Sequence, residues 1–269
     1  MGERRPRGPG SLAGVRPGGE TRGNSGARAA LVTGAAGGIG RAVAERLLAD
    51  GLDVLSVDLE ADGLPGTGHA ADLTTRAGNK GAVDAALEAF GRLDVVVPNA
   101  GVQHVAPVKE FPEEQWDLLI SLMLTSPFLL AKYAWEALIS APEGRFIAVA
   151  SAHGLVASPY KAAYVSAKHG VLGLVRTLAL EGAEAGISCT AVCPGYVRTP
   201  LVEKQIPDQA KAHGVSEEEA LAEVILAPHA IKRLIEPEEV AGVVAFLATE
   251  AGASFTGVPV TMDMGWTAR

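Results

Sequence analysis

Tyr164 and Lys168 stand four residues apart in 162–185, a stretch that reads as a long helix with apolar residues at Val165, Val171, Leu172, Val175, Leu178 and Leu180. On a helix that spacing puts both side chains on one face, about 6 Å apart along the axis. A phenol alone is a poor base at neutral pH, because its pKa is about 10. An ammonium held beside it favours the phenolate and lowers that pKa. Such a pair can take a proton from an alcohol, or return one to a ketone, near neutral pH. Ser151 closes the apolar run 146–150, which reads as a buried strand. Its hydroxyl would then sit at a strand's carboxyl end, where open α/β sheets bind ligands. Tyr and Lys at this spacing also describe an ordinary surface pair, so the surrounding chain has to decide.

That chain alternates short apolar strands with amphipathic helices from Arg28 onward. Strands are predicted at 29–33, 54–57, 69–72, 95–99, 145–151, 187–193 and 258–262, and helices at 39–50, 83–90, 113–140, 162–185 and 237–248. Strands separated by helices pair in parallel through right-handed crossovers. The expectation is a single α/β domain over 28–269, a Rossmann-type doubly wound parallel sheet. Residues 201–233 break the rhythm with Pro207 and Pro228 after the sixth strand, and read as a helical lid over a site.

The first strand runs into Thr33-Gly34-Ala35-Ala36-Gly37-Gly38-Ile39-Gly40, which opens the first helix. Glycines there let the backbone turn sharply and approach a pyrophosphate, whose charge the helix N-terminus stabilises. Asp58 ends the second strand, where a carboxylate accepts the adenosine ribose hydroxyls and repels a 2′-phosphate. No Arg or Lys interrupts 35–37, so the expected cofactor is NAD rather than NADP. A solvated loop carboxylate is the alternative for Asp58. Asp72 ends the third predicted strand and could meet the adenine.

Composition narrows the partners. Hydrophobic content of 48% supports a sizeable core, and a net charge of −8 argues against nucleic acid. No apolar run reaches the roughly 18 residues of a membrane span, so no membrane partner is expected. Cys189 and Cys193 share a predicted strand, about 13 Å apart, too far for a bridge. Two buried thiols suit a reducing cytoplasm. The six histidines show no metal-ligand spacing, so no metal is expected. Residues 1–27, rich in Gly, Arg and Pro, lack the apolar stretch of a secretory signal. They read as a disordered extension, with a basic docking arm as the alternative.

In this order the pieces resemble the short-chain dehydrogenase/reductase family across 28–269. The glycine pattern is Thr33-Gly34-x-x-x-Gly38-Ile39-Gly40 and the fourth-strand motif Asn99-Ala100-Gly101. The catalytic set is Ser151, Tyr164 and Lys168, and the nicotinamide-side motif Pro194-Gly195-Tyr196-Val197-Arg198-Thr199. The resemblance implies that Ser151 bonds the substrate oxygen and that Tyr164 is the acid/base. Lys168 would bind the nicotinamide ribose, Thr199 and the Val197 backbone the carboxamide, and Asn99 would support cofactor and sheet edge. It also implies a homotetramer, which the apolar helix 240–247 and the last strand could join. Met123 departs from the family, which usually has Asn there in a proton relay. A thioether is only a weak acceptor, so the relay uses another group or backbone-bound water, turnover is impaired, or Met123 simply fills packing.

For the substrate, Gln103, His153, Lys161 and Gln205 fall around the predicted site. Two amides, an imidazole and an ammonium converging would suit a small anion, because charged donors bind carboxylate strongly. Each also has an ordinary reading: solvated lysine, lid surface, loop cap, polar loop. The stretches 99–105, 151–156, 161–170 and 199–206 resemble the members of the family that interconvert 3-hydroxybutyrate and acetoacetate. That likeness assigns all four residues to the substrate carboxylate, with His104 and His169 left structural. The alternatives are a reductase of another polar alcohol or a 3-oxoacyl thioester, or an NAD(H)-binding sensor with weak catalysis.

Overall fold

The computed structural model describes residues 26–268, so the expected disordered extension lies outside the described residues except for Gly26 and Ala27. The strands are β1 (Ala29–Thr33), β2 (Asp53–Asp58), β3 (Thr67–Ala70), β4 (Val95–Val97), β5 (Arg145–Val149), β6 (Ser188–Pro194) and β7 (Pro259–Met262). The main helices are α1 (Gly38–Ala49), α2 (Arg76–Phe90), α3 (Glu113–Ile120), α4 (Ser126–Ser140), α5 (Ala162–Glu181), α6 (Pro200–Glu203), α7 (Gln205–His213), α8 (Glu217–Glu219) and α9 (Pro237–Leu247). All strands pair in parallel in the order β3-β2-β1-β4-β5-β6-β7. Strand order reverses between β1 and β4, and a ligand crevice opens at such a switch point, at the strands' carboxyl ends.

The central strands read as continuous apolar runs because both faces are covered. On one face α1 and α9 set Val43, Leu47, Val240 and Val244 against Val32, Val97 and Ile147. On the other, α2, α4 and α5 set Val83, Leu130, Leu138 and Val175 against Leu31, Val96 and Phe146. The inner residues of α9 are therefore spent within the domain, and Phe246, Phe255 and Val258 remain exposed beside it.

Several boundaries differ from the sequence reading, and three differences have a clear side-chain cause. β3 closes at Ala70, so Asp72 lies past the strand and starts a turn, its Oδ1 accepting the Thr74 amide and hydroxyl. α2 begins at Arg76 rather than residue 83, capped by Thr75, whose hydroxyl accepts the Gly78 amide at 3.0 Å. Gly78, Asn79 and Gly81 are poor helix formers and hid that first turn. Yet a Cβ on Gly78 would sit 2.0 Å from the Asp72 carbonyl oxygen, so the close approach requires glycine. The predicted helix 113–140 is continuous but contains a π turn at Ser121–Thr125. Pro127 lacks the N–H that an α-helix would give the Met123 carbonyl, and the Ser126 amide instead reaches the Ser121 carbonyl. By length and hydropathy alone Glu113–Ser140 could cross a membrane, but 44% of its apolar window is buried within this fold.

The predicted lid, 201–233, folds into short helices that pack around Val202, Ile225 and Leu234. It follows β6 at the carboxyl end of the sheet, the same end as the crevice.

Candidate active site

The switch point holds a cleft of about 650 Å³, within the range of small-molecule and cofactor sites. Its floor is the turn between β1 and α1. Gly34 takes φ +68°, and a Cβ there would come 2.8 Å from the Ala100 Cα. A Cβ on Gly40 would strike the Gly34 carbonyl oxygen at 2.0 Å. Gly37 is the extended N-cap of α1 and makes no side-chain cap bond. The amides at the start of α1 therefore remain available to an anion. Asn99 braces the turn: its Nδ2 donates to the Thr33 and Gly34 carbonyls at 2.9 and 3.3 Å. Gly38, Ile39, Asp58, Asp72 and Asn99 all line the cleft. The Asp58 carboxylate accepts the Ala36 and Leu59 amides at 2.9 and 2.8 Å.

The opposite wall comes from the end of β6. Pro194 closes that strand beside Met262 of β7, and Val197 bridges Ile235. The Thr199 hydroxyl caps α6 by accepting the Val202 amide and donates to the Val197 carbonyl. Its methyl would be 3.0 Å from a Cβ on Gly38, so the two walls touch through a glycine. Leu118, Leu122 and Met123 complete the cleft, and Met123 is fully buried.

Tyr164 and Lys168 line the same cleft from one face of α5, with the ammonium 5.6 Å from the phenol ring centre. Ser151 lies two residues past β5, where it caps a 3-10 turn and its Oγ accepts the His153 amide at 3.1 Å. The electrostatics differ from the expectation. Burial raises the Tyr164 pKa above 10, and the nearby Ser151 hydroxyl only partly offsets it. Lys168 donates a hydrogen bond to the Val149 carbonyl at 2.9 Å rather than to the phenol, and burial lowers its own pKa to about 8.

Of the four residues assigned to the carboxylate, the structure groups two. His153 and Lys161 are both buried; His153 adjoins Tyr164 and Tyr196, and Lys161 bonds Tyr196. Burial, then the Lys161 charge, pushes His153 down to about 3, so its imidazole is neutral near neutral pH and bonds the Ser158 hydroxyl at 3.0 Å. Lys161 drops to about 8 by burial alone. Gln103 and Gln205 do not join them by hydrogen bonds among the described residues. The Gln103 carbonyl oxygen accepts the next residue's amide, and Gln205 Nε2 donates to Leu201 one turn back. Each amide makes one local bond.

With this geometry, the model of the short chain dehydrogenase family matches residues 28–210. The chain belongs to that family. It is 43% identical to the D-beta-hydroxybutyrate dehydrogenase of Rhizobium meliloti, over 90% of this chain and 99% of that protein. It is 37% identical to the D-beta-hydroxybutyrate dehydrogenase of Cupriavidus necator, over 90% of this chain and 98% of that one. Among solved structures, the ligand-free aldohexose dehydrogenase of Thermoplasma acidophilum superposes with a TM-score of 0.83 at 29% identity, covering 90% and 95% of the two chains.

For a short-chain dehydrogenase the sequence reading left one part of the site without a role. Tyr196 stacks on Trp266 at 5.4 Å and 7°, and Trp266 meets the His153 ring edge-on at 4.9 Å. His229, fully buried, accepts the Tyr196 amide through Nε2, and its Nδ1 donates to the Arg233 carbonyl. The signal available was an aromatic inside the nicotinamide-side motif and another in the last turn, residues far apart in sequence with no periodicity to join them.

Proposed function

We propose that this short-chain dehydrogenase oxidises D-3-hydroxybutyrate to acetoacetate with NAD, and catalyses the reverse. The observation that carries the reading is the buried Lys161 ammonium with neutral His153, joined to Tyr164 through packed rings. It is an anion pocket beside a proton-transfer group. Relatives named for this activity, covered almost end to end, support it.

The cleft residues fit a dinucleotide. Gly37 and Gly38 open α1 to a pyrophosphate, and Asp58 stands where the ribose hydroxyls of NAD would be accepted. When bound, the nicotinamide supplies the hydride acceptor. Lys168 would hold its ribose, Thr199 and the Val197 backbone its carboxamide. On the substrate side, Lys161 and His153 hold the carboxylate, and Gln103 and Gln205 exchange their local bonds for it. Ser151 accepts the His153 amide and faces Tyr164, so its hydroxyl hydrogen would turn from the phenol to the substrate oxygen. Tyr164 removes the hydroxyl proton as the carbinol carbon loses its hydride. Because burial opposes the phenolate, the positive charge of Lys168 is needed to stabilise it. Helices α6 to α8 exclude water over the site, which strengthens the charge contacts.

The proposal includes a homotetramer, covering apolar residues such as Phe246 and Phe255, and a cytoplasmic location consistent with the free, buried Cys189 and Cys193. It gives the acidic chain no nucleic-acid or membrane partner. The test is NADH formation with D-3-hydroxybutyrate, its L enantiomer and a neutral secondary alcohol. D-selective turnover of the acid supports it. Equal activity on the neutral alcohol points to a different polar alcohol, and NADH binding with no turnover of any hydroxy acid points to a sensor.

A further inference from the structure

Lys161 is buried, yet none of the ion pairs among the described residues includes it. Its ammonium donates to the Tyr196 hydroxyl oxygen at 3.1 Å and lies 5.0 Å from the centre of the same ring. A buried cation without a counter-charge is unfavourable, and a phenol oxygen meets only part of that need. The Tyr196 oxygen, meanwhile, accepts one hydrogen bond, and among the described residues its own hydrogen has no acceptor.

The oxygen is held in place, because the ring that carries it is fixed. That ring is stacked on Trp266, bounded edge-on by His153 at 6.2 Å, and tied at the backbone to His229. The ammonium and the phenol oxygen are 3.1 Å apart, close enough for the two oxygens of one carboxylate to meet both donors.

We propose that Tyr196 is a direct ligand of the substrate carboxylate, its hydroxyl accepting from Lys161 and donating to the acid. The two residues form a clamp in which one carboxylate oxygen takes the ammonium and the other the phenol. This rests on the 3-hydroxybutyrate reading and sharpens it, because Tyr196 then selects for a charged carboxylate over a neutral group of the same shape. Burial and the neighbouring Tyr164 push the Tyr196 pKa up to about 12. It stays a hydrogen donor while Tyr164 exchanges its proton, which separates the duties of the two phenols.

The test is Tyr196→Phe, which keeps the ring, its stack on Trp266 and its approach to the Lys161 ammonium, and deletes the one oxygen that accepts from Lys161. Initial rates would be measured with D-3-hydroxybutyrate and with its methyl ester, and acetate would serve as a competitive inhibitor. Intact NADH binding by fluorescence checks the fold. The expected result is a KM for the acid raised roughly tenfold or more, the loss of one hydrogen bond to a charged group. The acetate inhibition constant should weaken by the same factor, with kcat within about twofold and the ester unaffected. An unchanged KM for the acid, or equal losses on acid and ester, overturns the role of Tyr196. If instead the wild type does not prefer the acid and Lys161→Met changes nothing, the 3-hydroxybutyrate reading itself is what fails.

Discussion

Replacing Lys161 by Met removes one buried charge and keeps most of the side chain's length. Lys161 is only 3% exposed and is bonded to a neutral phenol, so a substrate carboxylate would be its first full counter-charge. A hydrogen bond to a charged group contributes about 1.5–3 kcal/mol net, so the KM for 3-hydroxybutyrate should rise roughly ten- to hundredfold. Neutral secondary alcohols should lose nothing, and kcat should stay within about threefold, because the contact exists in ground and transition states alike. The pH profile gives a second reading. Burial lowers the Lys161 pKa from 10.5 to about 8, so the binding-competent ammonium is full below that value and lost above it. Lys168 also titrates near 8, but it serves every substrate. The ratio of kcat/KM for acid over neutral alcohol therefore cancels Lys168 and reports Lys161. In the wild type that ratio should be flat below about pH 8 and fall about tenfold per pH unit above it. In Lys161→Met it should be low and flat throughout. A wild-type ratio with no bend, or a variant with an unchanged KM for the acid, refutes Lys161 as the carboxylate ligand.

Gly40→Ala places a methyl 2.0 Å from the Gly34 carbonyl oxygen and 2.6 Å from Asn99 Nδ2; melting should show a loss of about 1–3 kcal/mol or more, and NADH titration should show binding abolished. Asp58→Asn removes the charge that the proposed NAD site sets against the ribose, and on that proposal steady-state kinetics should show a preference for NAD over NADP that falls about tenfold or more in the variant. Met123→Asn puts an amide beside a void of about 10 Å³ bounded by Lys168, Ser126 and Pro127, just large enough for one water. Turnover should rise several-fold with a smaller solvent isotope effect, and no change in either would leave Met123 as packing alone.

The fold was legible because its signals are local and repeated. Apolar strands alternate with helical stripes from Ala29 to Met262, and the parallel order follows from that alternation. The boundaries that moved did so for side-chain reasons. The first turn of α2 depends on a Thr75 cap and on glycine at a close approach, and the π turn depends on one missing N–H at Pro127. Residues bearing on the cleft were readable where one motif places them on one element, as with Gly34 to Gly40 or Tyr164 and Lys168.

What the sequence could not display is how burial redistributes charge among groups from distant segments. Spacing alone argued that an ammonium four residues away lowers the Tyr164 pKa, but distance on a helix says nothing about what else the ammonium bonds. In the fold Lys168 is committed to the Val149 carbonyl and both groups are desolvated, so each is driven toward its neutral form. The same holds for the anion pocket. Four polar residues from separate stretches argued for four ligands; in the fold two of the amides bond near neighbours, while Tyr196, from a different segment, meets the ammonium. A polar side chain is committed by the nearest partner it can reach, and sequence distance is a poor measure of reach. Lys161 and Tyr196 are 35 residues apart and share a hydrogen bond. The phenol hydrogen, without an acceptor among the described residues, and the ammonium beside it together suit an anion such as the proposed carboxylate, and that pairing exists only once the loop after β6 and the start of α5 have been brought together.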